Sequence, residues 1–405
     1  MRLLIVTDAY PPEIRSSSHL MIELAEALRD LGHEVTVLTG WPSFNLDAAA
    51  RECAYKPLMV EEGIRVIRVP TLPLHNVGFF KRGFAQIALP YQFLRGLRRH
   101  AGSGFDGVIV YSPPLPLGFV GEVLHRRGMR YVLNVQDIFP QNAVDLGVLK
   151  NPLIVAFFRW MERRCYRRAD VVTAHSESNR RMIAAANPES ADKLVVVHNW
   201  VDTDIFATGE TGIDFRKSFG LERKFVLVYG GVIGPAQGLD VILDIAARVR
   251  DLSDLVFLIV GEGLERPALI ERAQRENLKN VLFKPFVPRE QYPSLLASSD
   301  AGFLTLSAKM KTPVVPGKLL GYMAAGLPVF AFINLESDAH EIIAQSGCGY
   351  SCTPDQIDEA AAAVRKAYTN RAWGAQCGDR GRDFVSTHFA KTVVVKQIER
   401  LLTPS

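Results

Sequence analysis

The chain has 405 residues, of which 48% are hydrophobic and 22% charged, and a formal charge of +4. That length exceeds one ordinary domain and that composition excludes wholesale disorder, while so small a positive excess gives no ground for a nucleic-acid partner. The longest apolar runs, such as Leu153–Phe158, fall far below the roughly 20 residues of a membrane-spanning helix, which excludes an integral membrane protein.

Leu3–Val6 is a short apolar run ending at Thr7-Asp8, as a buried parallel strand does. Met1–Thr7 enters this pattern at once, so no export signal is expected. A polar loop with Pro11-Pro12 follows. Leu20, Leu24, Leu28 and Leu31 then recur at helical spacing until Gly32 stops the helix, and Val35–Thr39 is the next strand. Further strands are expected at Ile64–Val69, Val108–Tyr111, Tyr131–Val135, Val171–Ala174 and Leu194–Val197. The pattern restarts at Phe225–Tyr229, followed by the glycine-rich Gly230–Gly234 and a helix from Leu239 to Arg250. Leu255–Val260, Val281–Phe283, Ala301–Leu304 and Pro328–Ala331 are the later strands. Strands alternating with helices in both halves predict an α/β protein of two Rossmann-like, doubly wound domains facing a cleft. The domains are expected at 1–199 and 200–385, with a boundary near His198–Phe206. Arg371–Leu402 reads as helical with no following strand, so 386–405 is expected to pack back on the first domain. The five cysteines (Cys53, Cys165, Cys348, Cys352 and Cys377) lack metal-site spacing and read as reduced thiols.

In such sheets ligands sit outside the carboxyl ends of the strands, so the loops after strands are the places to look. The loop Asp8–Ser18 offers Arg15, Ser16 and the start of a helix, where free N–H groups and the dipole favour an anion; the alternative is a solvent loop in which serine caps the helix. Gly231, Gly234 and Gln237 lie in the second loop, where glycine lets backbone approach a ligand, and Glu262 lies between Gly261 and Gly263. Neither place carries G-x-G-x-x-G, which disfavours a nicotinamide dehydrogenase. Ser307–Pro328 is the most informative stretch. Lys309, Lys311 and Lys318 fall within ten residues, and Pro316-Gly317 puts Lys318, Leu319 and Leu320 in the first turn of a helix. A lysine there opposes the dipole, and an anion bound between them resolves the conflict. Asp137, just past a strand, either orients or deprotonates a substrate hydroxyl or caps the next helix. Asp202-Thr203-Asp204 has a D-x-D spacing, but its place at the domain junction argues against a metal, and none is expected. Phe79, Phe80, Lys81 and Arg82, continuing through Tyr91 to Arg95, Arg98 and Arg99, interleave aromatic and basic residues. Such a stretch lies in a membrane interface or is a helix whose aromatics fill the core, and Phe157–Arg168 extends the same pattern.

Taken in order, YPPE (Tyr10–Glu13), LGHEVTVLT (Leu31–Thr39), VVTAHSES ending at Ser178, HNWVDTDIF (His198–Phe206), LIVGEGLER (Leu258–Arg266), VPGKLLGYMAAGLPV (Val315–Val329) and CGYSCTP (Cys348–Pro354) resemble the retaining, GT-B-fold glycosyltransferases of family 4, or group 1, over nearly the whole length. DIFPQNAVDLG (Asp137–Gly147) looks most like the branch that includes L-fucosamine transferases and colanic-acid or O-antigen enzymes. The resemblance implies metal-independent transfer of a sugar from a nucleotide-diphosphate donor, a UDP-sugar foremost. The acceptor would be a lipid-linked (polyprenyl diphosphate) glycan at the cytoplasmic face of the cell membrane, in surface polysaccharide assembly, with no cofactor. Where the family has Gly-Arg and Lys-Gly pairs on the donor diphosphate, this chain has Gly231-Val232 and Gln237-Gly238. The family's Glu-x(7)-Glu pair falls on Pro313 and Gly321. Lys309, Lys311, Lys318 and Arg15 are the expected substitutes, together with the helix start at Leu319. On this reading Asp137, Lys318 and Lys311 carry the chemistry. Arg15, Ser16, Gly231, Gly234, Gln237, Glu262, Phe286, Lys309, Leu319 and Leu320 hold the donor, and the basic aromatic stretch meets the membrane and acceptor. A UDP-sugar epimerase of the same fold, and a degenerate nucleotide-sugar-binding scaffold, are the alternatives.

Overall fold

The computed structural model describes residues 1–75, 77–101, 104–145, 147–207 and 213–403. They form two compact units, Met1–Asn199 with Lys391–Ser405, and Trp200–Ala390.

The first unit is built on an eight-stranded sheet. Its strands are β1 (Arg2–Val6), β2 (Glu34–Gly40), β3 (Leu58–Glu61), β4 (Ile64–Val69), β5 (Gly107–Ser112), β6 (Arg130–Val135), β7 (Val171–Ala174) and β8 (Leu194–Val196), in the spatial order β3-β4-β2-β1-β5-β6-β7-β8. All neighbours are parallel except β3 and β4. Strand β3 was not expected. It pairs with β4 through a two-residue turn in which Glu62 and Gly63 both have positive φ, 48° and 79°, as a hairpin turn matching strand twist requires. The order of the chain reverses between β1 and β5, and the loops there open the ligand crevice of a doubly wound sheet.

The second unit carries β9 (Phe225–Gly230), β10 (Leu255–Val260), β11 (Val281–Lys284), β12 (Ala301–Thr305), β13 (Val329–Phe332) and β14 (Gly349–Cys352) in the order β11-β10-β9-β12-β13-β14, all parallel. Strand β14 is a further addition to the expected set. This is the six-stranded Rossmann order, whose switch point lies between β9 and β12. Helices cover both faces, so its central strands are apolar throughout. Phe225, Leu227 and Tyr229 enter one core while Val226 and Val228 enter the other.

The C-terminal region is two helices, Arg371–His388 and Lys391–Leu402. Val385 and Phe389 are buried in the second unit, so the chain rejoins the first unit at Lys391 and not at 386. The last helix buries Val394, Val395, Ile398 and Leu402, while Glu399 meets His33 at 2.8 Å and Arg130 reaches the Leu401 carbonyl. Val201 N–H donates to the Phe389 carbonyl, so the chain enters and leaves the second unit side by side. All five cysteines are free thiols. No helix among the described residues is long and apolar enough to cross a membrane.

Candidate active site

At the β9–β12 switch point three loops are tied into one shelf. Ile233 N–H donates to the Glu262 carbonyl and Glu265 N–H to that of Ile233, so the loop after β9 is fastened to the loop after β10. The contact is backbone on backbone: a Cβ on Gly261 would lie 1.8 Å from the Gly231 carbonyl oxygen, which only glycine avoids. Ser307 N–H donates to the Ala236 carbonyl, which ties in the loop after β12. Beneath lies an uncharged aromatic floor. Tyr229 Oη donates to the Val232 carbonyl at 2.6 Å, and Gly230 N–H reaches Tyr322 Oη. Burial holds the phenols of Tyr229, Tyr292 and Tyr322 above their ordinary range, so all three stay neutral.

Lys318 projects onto this floor from the first turn of the helix Gly317–Ala324. Its Nζ lies 4.7 Å from the centre of the Tyr229 ring, and a Cβ on Gly231 would strike its Cε at 2.6 Å. Lys318 is half-buried. Burial alone pulls its pKa down to about 8; no neighbouring charge contributes. Among the described residues it has no carboxylate partner. An ammonium held partly out of water, without a counter-charge, at the positive end of a helix, is a site poised for an anion.

The other expected donor residues divide. Gly231, Gly234 and Gln237 lie in the shelf, with Gln237 N–H donating to the Gly234 carbonyl. Glu262 contributes its backbone, while its exposed carboxylate turns to Arg266 at 3.7 Å. Leu319 and Leu320 are buried in the core, and Leu319 N–H already donates to the Pro316 carbonyl, so neither brings a side chain to a ligand. Lys311 is not a free cation: its ammonium pairs with Glu336 at 3.3 Å. Lys309 and Phe286 are exposed. Asp202 Oδ1 accepts from Asp204 N–H at the start of a short helix.

In the first unit Arg15 is likewise committed elsewhere. Its guanidinium pairs with Asp8 at 3.1 Å and approaches Glu13 at 3.7 Å. Glu13 also accepts Ser43 N–H and Phe44 N–H. Two carboxylates offset the cation that was expected to face an anion, and burial pushes both carboxyls above their usual range. Ser16 is exposed and begins the helix Ser16–Asp30, whose N-cap residue Arg15 makes no side-chain capping hydrogen bond. Asp137 sits at the rim of a cavity of about 300 Å³ with mostly apolar walls, a feature that no single sequence segment announces. The residue meets solvent, yet the low-dielectric surroundings of its carboxyl raise its pKa.

The helix Phe79–His100 divides its aromatics between core and surface. Leu89, Phe93 and Leu97 point into the core, whereas Phe84, Ile87 and Tyr91 are exposed together with Lys81, Arg82, Arg95, Arg98 and Arg99. Phe79 and Phe80 open this helix, but their side chains lie outside the described residues. On the helix Pro152–Arg168, Leu153, Phe157 and Trp160 are also exposed.

Residues 21–200 match the glycosyl transferase 4-like domain family, and residues 210–384 match the glycosyl transferases group 1 family. The chain is 24% identical to the putative colanic acid biosynthesis glycosyl transferase WcaI of Escherichia coli K12, across 91% of this chain and 92% of that one. It is 27% identical, over 66% of its length and 65% of the relative's, to a GDP-mannose-dependent α-mannosyltransferase of Mycobacterium tuberculosis. Anabaena HepE, crystallised in complex with UDP-glucose, shares the fold with a TM-score of 0.70 over 99% of both chains at 19% identity. Matches to both family domains, in order along two Rossmann-like units, show that the chain belongs to the family 4, group 1 glycosyltransferases of GT-B fold.

Proposed function

We propose that this glycosyltransferase moves a sugar, with retention of configuration and without a metal, from a nucleotide-diphosphate donor to a hydroxyl of a lipid-linked glycan in surface polysaccharide assembly. The observation that carries the donor half is Lys318, the half-buried ammonium at the second unit's switch point with no carboxylate partner among the described residues. It takes the part of the family's missing arginine and lysine. In the reaction the bond from the sugar's anomeric carbon to the diphosphate oxygen breaks, and a bond to the acceptor oxygen forms on the same face. The acceptor proton passes to the departing phosphate oxygen. Charge grows on the diphosphate as this happens, and a preorganised cation on that oxygen lowers the barrier. Gly231 and the backbone of the tied loops give the diphosphate close access. Asp137 accepts a hydrogen bond from the acceptor. Lys311, paired with Glu336, has a secondary role at most.

A UDP-sugar is the first donor to test, as the HepE complex with UDP-glucose supports; the mycobacterial relative makes GDP-mannose the second. Exposed Phe84, Ile87 and Tyr91 beside Arg95 and Arg98 support docking to the anionic inner face of the cell membrane, where lipid-linked acceptors reside. The test is a panel of UDP-, GDP- and dTDP-sugars with EDTA present, read by ligand-induced thermal shift and then by nucleotide release. One nucleotide class should raise the melting temperature and be slowly hydrolysed. No shift with any donor would remove the basis for this reading. A shift without release, even with lipid-linked glycan added, would favour a non-catalytic binder.

A further inference from the structure

The cavity beside Asp137 has features that donor binding does not use. It lies wholly in the first unit, with a volume of about 300 Å³. Its walls are chiefly hydrocarbon and aromatic, among them Leu115, Phe139, Ala143 and Phe158. The lining carries two charged residues, Arg82 and Asp137. Arg82 is exposed, and its field reaches Asp8, just past β1, and His75.

Two of the helices that contribute to the lining also carry exposed apolar residues. Phe79–His100 supplies Arg82 to the cavity and turns Phe84, Ile87 and Tyr91 outward. Pro152–Arg168 supplies Phe158 and turns Leu153, Phe157 and Trp160 outward, with the Phe157 and Trp160 rings stacked 6.0 Å apart. Arg95, Arg98, Arg163 and Arg167 are exposed on the same two helices. An apolar hole bordered by two helices that are aromatic and basic outside fits an anionic amphiphile better than a free sugar or a neutral oil. Hydrocarbon satisfies the walls, a phosphate satisfies Arg82, and Asp137 accepts from a hydroxyl next to that phosphate.

We infer that this cavity binds the hydrocarbon segment adjoining the phosphate of the lipid-linked acceptor, with Arg82 on the phosphate. The inference rests on the lipid-acceptor reading above and adds where the lipid is gripped. At roughly 30 Å³ per small group, the liquid volume of a water, the cavity holds on the order of ten carbon atoms, or about two isoprene units. Each methylene moved from water into such a site is worth roughly fourfold in affinity. Affinity should therefore climb with chain length and level off once the cavity is full.

The test uses the full chain in detergent-free buffer with three soluble probes: dimethylallyl, geranyl and farnesyl diphosphate. Inorganic diphosphate and geraniol are the controls, and binding is followed by calorimetry. Geranyl diphosphate should bind at least tenfold tighter than dimethylallyl diphosphate, and farnesyl diphosphate no more than a few-fold tighter again. Ala143→Trp, which fills the cavity, should abolish the chain-length dependence. Val148→Trp at the exposed rim should weaken it without threatening the fold. Arg82→Gln should remove the preference for geranyl diphosphate over geraniol. In all three variants the donor-induced thermal shift, a property of the second unit, should match the wild type. Equal binding of geraniol and geranyl diphosphate, or a length dependence untouched by both tryptophan variants, would overturn the inference while leaving the transferase reading intact. Loss of the donor shift in the wild type would instead strike the transferase reading, whatever the probes do.

Discussion

Replacing Lys318 with methionine should make the unliganded protein more stable and the donor complex weaker. The lysine has a pKa of about 8 against an ordinary 10.5, from burial alone. At 1.36 kcal/mol per unit, holding its charge in place costs about 3 kcal/mol as an upper bound. The sign follows from proton binding. Between pH 8 and 10.5 the unfolded chain binds this proton more strongly than the folded one, so stability rises with pH in that window. Below pH 8 the full cost is present. Methionine keeps the length and removes the charge. After allowing for the lost contact with the Tyr229 ring, worth about 1 kcal/mol, a gain of about 1–2 kcal/mol remains. For a unit of this size that raises the melting temperature by about 4 °C. A charge-assisted contact to the diphosphate is worth about 1.5–3 kcal/mol, so donor affinity should fall roughly 10- to 150-fold. The two halves can be read together by scanning fluorimetry with and without donor from pH 6.5 to 9, where the diphosphate diester keeps a constant charge. Wild-type affinity should be flat below pH 8 and decline above it as Lys318 loses its proton; the Lys318→Met profile should be flat throughout. A variant that melts lower than the wild type and keeps its donor affinity within threefold would refute the reasoning and make Lys318 a structural prop.

Lys311→Ala should change donor affinity by less than about threefold, since an exposed ion pair such as Lys311–Glu336 is worth little and its cation is already engaged; titration calorimetry would show it. Arg15→Ala should destabilise the protein by about 2 kcal/mol at pH 7, because Asp8 and Glu13 lose their counter-ion. Their folded pKa values are already raised, so the loss should shrink as pH falls and the two carboxyls take up protons, which urea melts from pH 7 to 4.5 would follow. Arg95→Gln with Arg98→Gln should weaken binding to vesicles containing anionic lipid about 30-fold at physiological salt, at about 1 kcal/mol for each arginine, and leave donor binding unchanged; equal binding to neutral vesicles would contradict this.

Which features could be read from the sequence follows from how local their causes are. Strands β1, β9 and β10 are buried on both faces, so each is an unbroken apolar run bounded by polar or glycine residues, and each was legible. Strand β3 has only the three apolar residues Leu58–Val60 and is not buried on both faces. It is an exposed edge whose residues alternate between open and half-buried, and the Glu62-Gly63 turn was the signal available for it. Lys318 was legible because a lysine at a helix start is a local contradiction that asks for an explanation. The capture of Arg15 was not, since the pairing depends on where a bend after β1 carries Glu13 and on Asp8 staying near the strand end. Nor was the role of Tyr229, Tyr292 and Tyr322, which come from three separate elements and meet only in the folded sheet. The cavity beside Asp137 is the extreme case, assembled from stretches around 82–86, 113–116, 137–149 and 158.

The returning C-terminal helix has a consequence for how the protein is made. The first unit is finished by Lys391–Leu402, whose Leu402 methyl would touch a Cβ placed on Gly107 at 3.0 Å. A ribosome emits residues at about 5–20 per second, so on the order of ten to forty seconds pass between completion of Asn199 and arrival of the helix that closes the unit. During that interval the groove awaiting Val394, Val395, Ile398 and Leu402 stays open to water. The nascent first unit is thus a natural client for a chaperone that shields apolar surface, and a fusion that delays release of the last helix would prolong that dependence.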